Sequence, residues 1–141
     1  MVRFTMRILA LDPGEKKIGV ALSDPTGLVA RPLTTLLHTS RDADAARIAA
    51  LVGEHQAELI LIGLALDASE QRGPQARRAE RLAEAIRQQT SVPVILHDES
   101  YSTQAAQDVM RAAGKKRRAR REQVHAVAAA ALLQSYLDAH P

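Results

Sequence analysis

Asp12 and Glu99 are the two side chains of this sequence best placed for metal-assisted chemistry. Each stands at or just past the end of an apolar run: Ile8-Leu9-Ala10-Leu11 precedes Asp12, and SVPVILH (residues 91–97) precedes Asp98-Glu99. A carboxylate at the end of a buried strand is costly if charged and alone. It becomes reasonable when it holds a cation or accepts hydrogen bonds. Magnesium and manganese take oxygen ligands, and often only one or two carboxylates completed by water and phosphate oxygens. His125 is the third candidate, in VHAVAA near the start of the last helix. A histidine on such an apolar face either packs in a core or ligates a metal.

Positioning these groups falls to a short list of elements. ILALDPGEKKIGVALSD (residues 8–24) reads as a β-hairpin, two apolar strands around a turn supplied by Pro13-Gly14 with the charged tip Glu15-Lys16-Lys17. Gly14 and Gly19 would let a polymer backbone or a phosphate approach closely. Residues 31–38 have the character of a third strand. A helix follows, starting around Ser40-Arg41-Asp42, with Ala46, Ile48, Ala49, Leu51 and Val52 at helical spacing. ELILIGL (residues 58–64) reads as a strand covered on both faces, residues 67–74 as a loop, and residues 75–88 as a helix. The strand at residues 91–97 comes next, then the polar string Asp98–Thr103, a helix over 104–113 closed by Gly114, a basic loop, and a last helix over 122–139. Three strands passing into alternating helices and strands predict an α/β fold: a mixed sheet, with an antiparallel three-stranded meander plus parallel strands, and helices on both faces. In such a sheet the carboxyl ends of the first, fourth and fifth strands lie together, and sites favour that edge.

Composition narrows the classes. With 141 residues, residues 1–141 read as a single domain, Met1–Thr5 being a short extension if Met6 is the start. Apolar residues make up 46%, which argues against disorder, yet there is one Phe, two Tyr and no Trp. The core is therefore aliphatic, and a row of stacking aromatics is not the binding mode. The absence of cysteine excludes disulfides and thiol chemistry. No apolar run is long enough to span a membrane, and the expectation is a cytoplasmic protein with no membrane partner, either a monomer or a homodimer. The net charge of +3 hides a patch: Lys115, Lys116, Arg117, Arg118, Arg120 and Arg121 supply six of the 19 basic residues, leaving 13 against 16 acidic ones elsewhere. Such a cluster attracts polyanions by releasing their counterions.

Four segments, in order, carry a resemblance. LALDPGEKKIGVALSD, ILIGLALDASEQRGPQA, DESYSTQAA and HAVAAAALLQSYLD are similar to the opening signature, the glycine-bearing central segment, the acidic strand-end motif and the terminal helix of the YqgF/RuvX family. Its members are described as Holliday junction resolvases and as pre-16S ribosomal RNA nucleases. The resemblance spans nearly the whole chain from Met6. It implies an RNase H-like fold with a metal-dependent acidic site on the sheet edge, and it places Asp12 and Glu99 at the first and second acids. His125 falls where the family usually has Asp, Ser100 where it often has Arg, and Ala65 and Asp67 where Pro and Asn are common.

What the resemblance implies is a divalent-metal-dependent nuclease, a hydrolase acting on phosphodiester bonds of structured nucleic acid. Asp12, Glu99 and His125 are its catalytic and metal-holding residues, since a bound metal activates water and neutralises charge on a scissile phosphate. An imidazole in place of a carboxylate favours manganese over magnesium. Lys16 and Lys17 at the hairpin tip join the basic run as nucleic-acid contacts. The family's reaction would be 5′-end processing of pre-16S rRNA in ribosome biogenesis. The alternatives are Holliday junction resolution and a weakly catalytic binding module on the same fold. A phosphotransferase of the actin and sugar-kinase type would need two such domains.

Overall fold

A computed structural model of the chain describes residues 6–64, 73–98 and 117–140. Along these residues run β1 (Ile8–Pro13), β2 (Lys17–Ser23), β3 (Ala30–Leu37), α1 (Arg41–His55), β4 (Leu59–Leu64), α2 (Pro74–Arg87), β5 (Val94–Asp98) and α3 (Arg117–Ala139). The five strands form one sheet in the order β3-β2-β1-β4-β5. The meander β1–β2–β3 is antiparallel, whereas β4 pairs parallel to β1 and β5 parallel to β4. The three parallel strands therefore end on one edge. β1 lies at the centre, buried along its whole length, and delivers Asp12 to that edge.

Alternation along β1 divides the core. Leu9 and Leu11, with Val20, Ile60 and Ile62, face α1 and α2, where Ile48, Leu82 and Ile86 cover them. Ile8 and Ala10, with Ala21, Leu59 and Leu61, face α3, where Ala129, Leu132 and Leu133 cover them. The alanines on this second face let α3 lie close to the sheet, which is why so much of the apolar content is Ala. Helices thus sit on both faces, as the alternating pattern predicts.

Local chemistry fixes the ends. Ser40 caps α1, its Oγ accepting the Ala43 N–H at 3.2 Å. Gln56 ends the helix in the left-handed region at φ 56°. Pro74 opens α2, where its missing N–H costs nothing. In β3, Pro32 falls on an edge strand beside an irregularity at Val20/Ala21, a place where the lost ladder bond is tolerated.

The observed strands and helices match the expected ones to within a few residues, with one substantive correction. The last helix begins at Arg117, not at residue 122. Arg117, Arg118, Arg120 and Arg121 are therefore helical rather than part of a loop. Straight-chain arginines are good helix formers, and a run of them extends a helix that the downstream alanines already favour. The helix expected over 104–113, its cap Gly114, and the loop at 67–72 lie outside the described residues.

Candidate active site

Asp12 pairs with Gly19 across the hairpin, one residue before β1 ends. Directly opposed residues of an antiparallel pair project to the same face. That face is the one covered by α3, and the residue above the pair is His125. Gly19 has to be glycine for this to happen. A Cβ there would lie 1.9 Å from the His125 carbonyl oxygen and 2.7 Å from the Ala126 nitrogen. Gly14 serves the same residue from the turn, since its Cβ would stand 3.0 Å from His125 Cε1 and 2.8 Å from the Lys17 carbonyl oxygen. A close approach does occur at these two glycines, and the approaching groups are His125 and Ala126 of the last helix and, at Gly14, also the Lys17 carbonyl.

The result is a carboxylate and an imidazole facing one another. His125 Nδ1 lies 3.6 Å from Asp12 Oδ2. The Asp12 side chain is 8% exposed and the His125 ring 33% exposed, so the pair opens to solvent on the histidine side. A separation of 3.6 Å is too long for a hydrogen bond. Adjacent ligand atoms about 2.1 Å from one octahedral ion stand about 3 Å apart and opposite ones about 4.2 Å, so an approach of about half an ångström would let this oxygen and nitrogen share a single cation. Among the described residues no group of three acids or histidines gathers. Glu99, the third residue of the expected site, lies just beyond β5 and outside the described residues, as do Ser100, Tyr101, Lys115 and Lys116. What the sheet order does establish is that β5 ends two strands from β1 on the same edge.

The hairpin tip is a tight turn closed by the Gly14 N–H donating to the Lys17 carbonyl at 2.7 Å. Lys16 is exposed and Lys17 half-buried. The backbone of Arg121 precedes His125 by four residues, one helical turn or about 6 Å along the axis, so the helical part of the basic run leads directly to the candidate site.

On the opposite face of the sheet, sequence reading missed a second group. His38 donates from Nδ1 to the carboxylate of Asp44, which is 2% exposed. The Thr39 N–H and the Arg47 guanidinium also bond Asp44. Burial raises the Asp44 carboxyl, but the bonds from His38, Thr39 and Arg47 outweigh it and hold the group below its ordinary value. The sequence alone assigns His38 no partner. The signal was the Ser40 cap: it folds α1 back over the end of β3 and brings a residue of the first turn to His38. Beside this pair an open cavity of about 540 Å³ is lined by Arg41, Arg77, Arg78 and Arg81, none of which the sequence reading singled out.

The comparisons with known proteins bear on this geometry. A family model described as RuvX, Holliday junction resolvase, matches residues 6–139. A protein of Myxococcus xanthus named "Putative pre-16S rRNA nuclease" is 42% identical over 135 residues, covering 96% of this chain and 89% of the relative. One of the same name from Geobacillus kaustophilus is 42% identical over 135 residues, covering 94% and 98%. Among solved structures, RuvC of T. thermophilus in complex with a Holliday junction gives a TM-score of 0.60 at 18% identity, covering 95% of this chain and 94% of that one. The large terminase nuclease of phage G20c gives 0.59 at 10% identity, covering 92% and 81%. At these identities the structural likeness is one of fold, the RNase H-like mixed sheet. The match in sequence extends over nearly the full chain, and the chain belongs to the RuvX family, described as Holliday junction resolvases.

Proposed function

We propose that this chain is a divalent-metal-dependent nuclease that cuts a phosphodiester bond at Asp12, and that its substrate is the precursor of 16S rRNA. The observation that carries the reading is the buried Asp12 carboxylate 3.6 Å from the partly exposed His125 ring at the end of the central strand. The relatives' names, at about 40% identity over the whole chain, favour precursor rRNA over a DNA junction as the substrate. Such a reaction belongs to ribosome biogenesis and to the cytoplasm. No helix among the described residues is long and apolar enough to cross a membrane.

The residues present suit a hard cation with one nitrogen ligand. Asp12 would hold it through a carboxylate oxygen, His125 through Nδ1, and Glu99 would complete the set. When bound, the ion supplies a polarised water and offsets charge on the phosphate. The rest is the work of the chain. The sheet fixes Asp12 at the end of a fully buried strand, so the carboxylate loses little entropy on binding. Gly19 seats α3 so that His125 stands over it. The ring is open to solvent on the side where a phosphate would arrive. With an imidazole in place of a second or third acid, the site carries less negative charge and favours manganese.

A cleavage panel tests the substrate. A 5′-extended 16S rRNA precursor, a four-way DNA junction and a single-stranded oligonucleotide are each incubated with magnesium or manganese. The proposal expects cleavage of the rRNA precursor, faster in manganese. Cleavage of the junction alone would overturn the substrate assignment and leave the nuclease assignment standing.

A further inference from the structure

The arginine-lined cavity lies on the face of the sheet away from α3, at the same strand end as Asp12. Its walls are the turn residues Pro13 and Gly14, the start of α1 and the first turns of α2. Arg77, Arg78 and Arg81 come from α2 at spacings of one, three and four residues, which gathers them on the side of that helix away from its buried Ala76, Ala79 and Ala83. Arg41 faces them from α1. None of the four has a carboxylate at ion-pair distance among the described residues. The acid of the cavity wall, Asp44, is already engaged by His38, Arg47 and Thr39. Its bond to Nδ1 of His38 orients the ring and leaves Nε2 as the nitrogen available to the cavity.

Four guanidinium groups around one space repel one another unless an anion joins them. The planar fork of arginine suits phosphate in particular. Size and lining then separate two kinds of phosphate. The apolar walls are Pro13, Ile18, Pro74 and Leu82, with no Phe, Tyr or Trp against which a base could stack. That lining reads a backbone rather than a base. The cavity also adjoins the candidate active site. Asp12 projects to the α3 face and Pro13 to the other, and Gly14 touches both: it lines the cavity, and its Cβ would meet the His125 ring.

We infer that this cavity is a strand-backbone site, holding phosphates of the same nucleic-acid strand that passes over Gly14 to be cut at Asp12. The assignment rests on Asp12 as the cutting centre, and it adds Arg41, Arg77, Arg78 and Arg81 as the groups that set where along the strand the cut falls. Arg87, on the same helix, is the natural control. It bonds the Val94 carbonyl and Glu84 outside the cavity.

The test is binding of a single-stranded RNA of about 20 nucleotides to the Asp12→Asn chain over a range of salt, with and without Arg77→Ser, Arg78→Ser and Arg81→Ser together. Each lost phosphate contact on a single strand removes about 0.7 from the log–log salt slope, so the triple change should lower it by about 2 and weaken binding about 10- to 100-fold near 0.1 M salt. Arg87→Ser should leave the slope alone. In the chain with Asp12 intact, the triple change should raise KM for cleavage in step with the loss of affinity. Because these arginines are on the surface, a thermal melt should show the fold unchanged. A triple variant with the same affinity and slope as Asp12→Asn alone would overturn the proposal. So would adenosine monophosphate competing as strongly as the strand, which would make the cavity a nucleotide pocket. Binding does not require cutting, so a chain that binds through these arginines but never cleaves would count against Asp12 as the cutting centre and leave the cavity assignment intact.

Discussion

His125 is the residue on which the chemistry of the candidate site turns. The 3.6 Å separation from Asp12 sets an imidazole where the family resemblance places an acid, and its exposed ring leaves room for a ligand. Restoring the acid by His125→Asp should therefore raise magnesium-supported cleavage relative to manganese-supported cleavage, because an all-oxygen site with more negative charge suits the harder ion. Rates in both metals equal to wild type would assign the ring to packing. Asp44 makes a separate prediction. Its carboxyl is held below the ordinary value in the folded chain, so the charged form stabilises the fold at neutral pH. That contribution should disappear as the pH falls below about 4, where the unfolded chain takes up the proton first. Asp44→Asn should cost about 1–3 kcal/mol at pH 7, the range for a buried charged hydrogen-bonding group left poorly matched. Urea unfolding of the two chains should show that gap closing towards pH 3. A gap that does not change with pH would mean the charge is not what holds His38, Thr39 and Arg47 to this site. Asp12 was legible from sequence because an acid ending a buried run needs a reason. The His38–Asp44 pair was not, because six residues and a change of direction separate them, and only the Ser40 cap brings them together.

At the scale of elements, the contact that positions the site is α3 on β2. Gly19 admits the backbone of His125 and Ala126, so the helix is seated by a missing side chain rather than by a bond. Gly19→Ala would drive a methyl into a carbonyl oxygen. Overpacking of this kind costs about 1–3 kcal/mol, and here it would also lift His125 from Asp12. The expected result in denaturant unfolding is a loss in that range, accompanied by a loss of cleavage larger than the change in stability explains. A variant within about 0.5 kcal/mol of wild type, inside the range of ordinary surface changes, and fully active would show that the helix tolerates a shift and that this contact does not set the site. The hairpin, the two parallel strands and all three described helices could be read from the sequence, because their apolar periods differ plainly. The start of α3 could not. A run of arginines has no apolar period to mark it as helix, and charge alone reads as loop. Which object approaches Gly19 was equally hidden, since a glycine reports a close contact without naming the partner.

At the scale of the whole molecule, two groups of basic residues stand out. Arg117, Arg118, Arg120 and Arg121 belong to the helix that carries His125. Arg41, Arg77, Arg78 and Arg81 line the cavity on the face of the sheet away from that helix. The net charge of +3 conveys none of this, because the 16 acids elsewhere nearly cancel it. The first group was visible in sequence as a contiguous run. The second was dispersed over two helices, and only the sheet order gathers it beside β1. The cavity lies near the edge where the parallel strands end, the usual place for a site in an open sheet. The central claim is that a phosphodiester bond is cut at Asp12. The most direct measurement is cleavage of the precursor rRNA by Asp12→Asn beside wild type in manganese, with thermal unfolding of both. Removing one charge from a buried carboxylate while keeping its shape should abolish cleavage with an equal or higher Tm. Cleavage at the wild-type rate by the folded variant would contradict the account and place the reaction elsewhere on the chain.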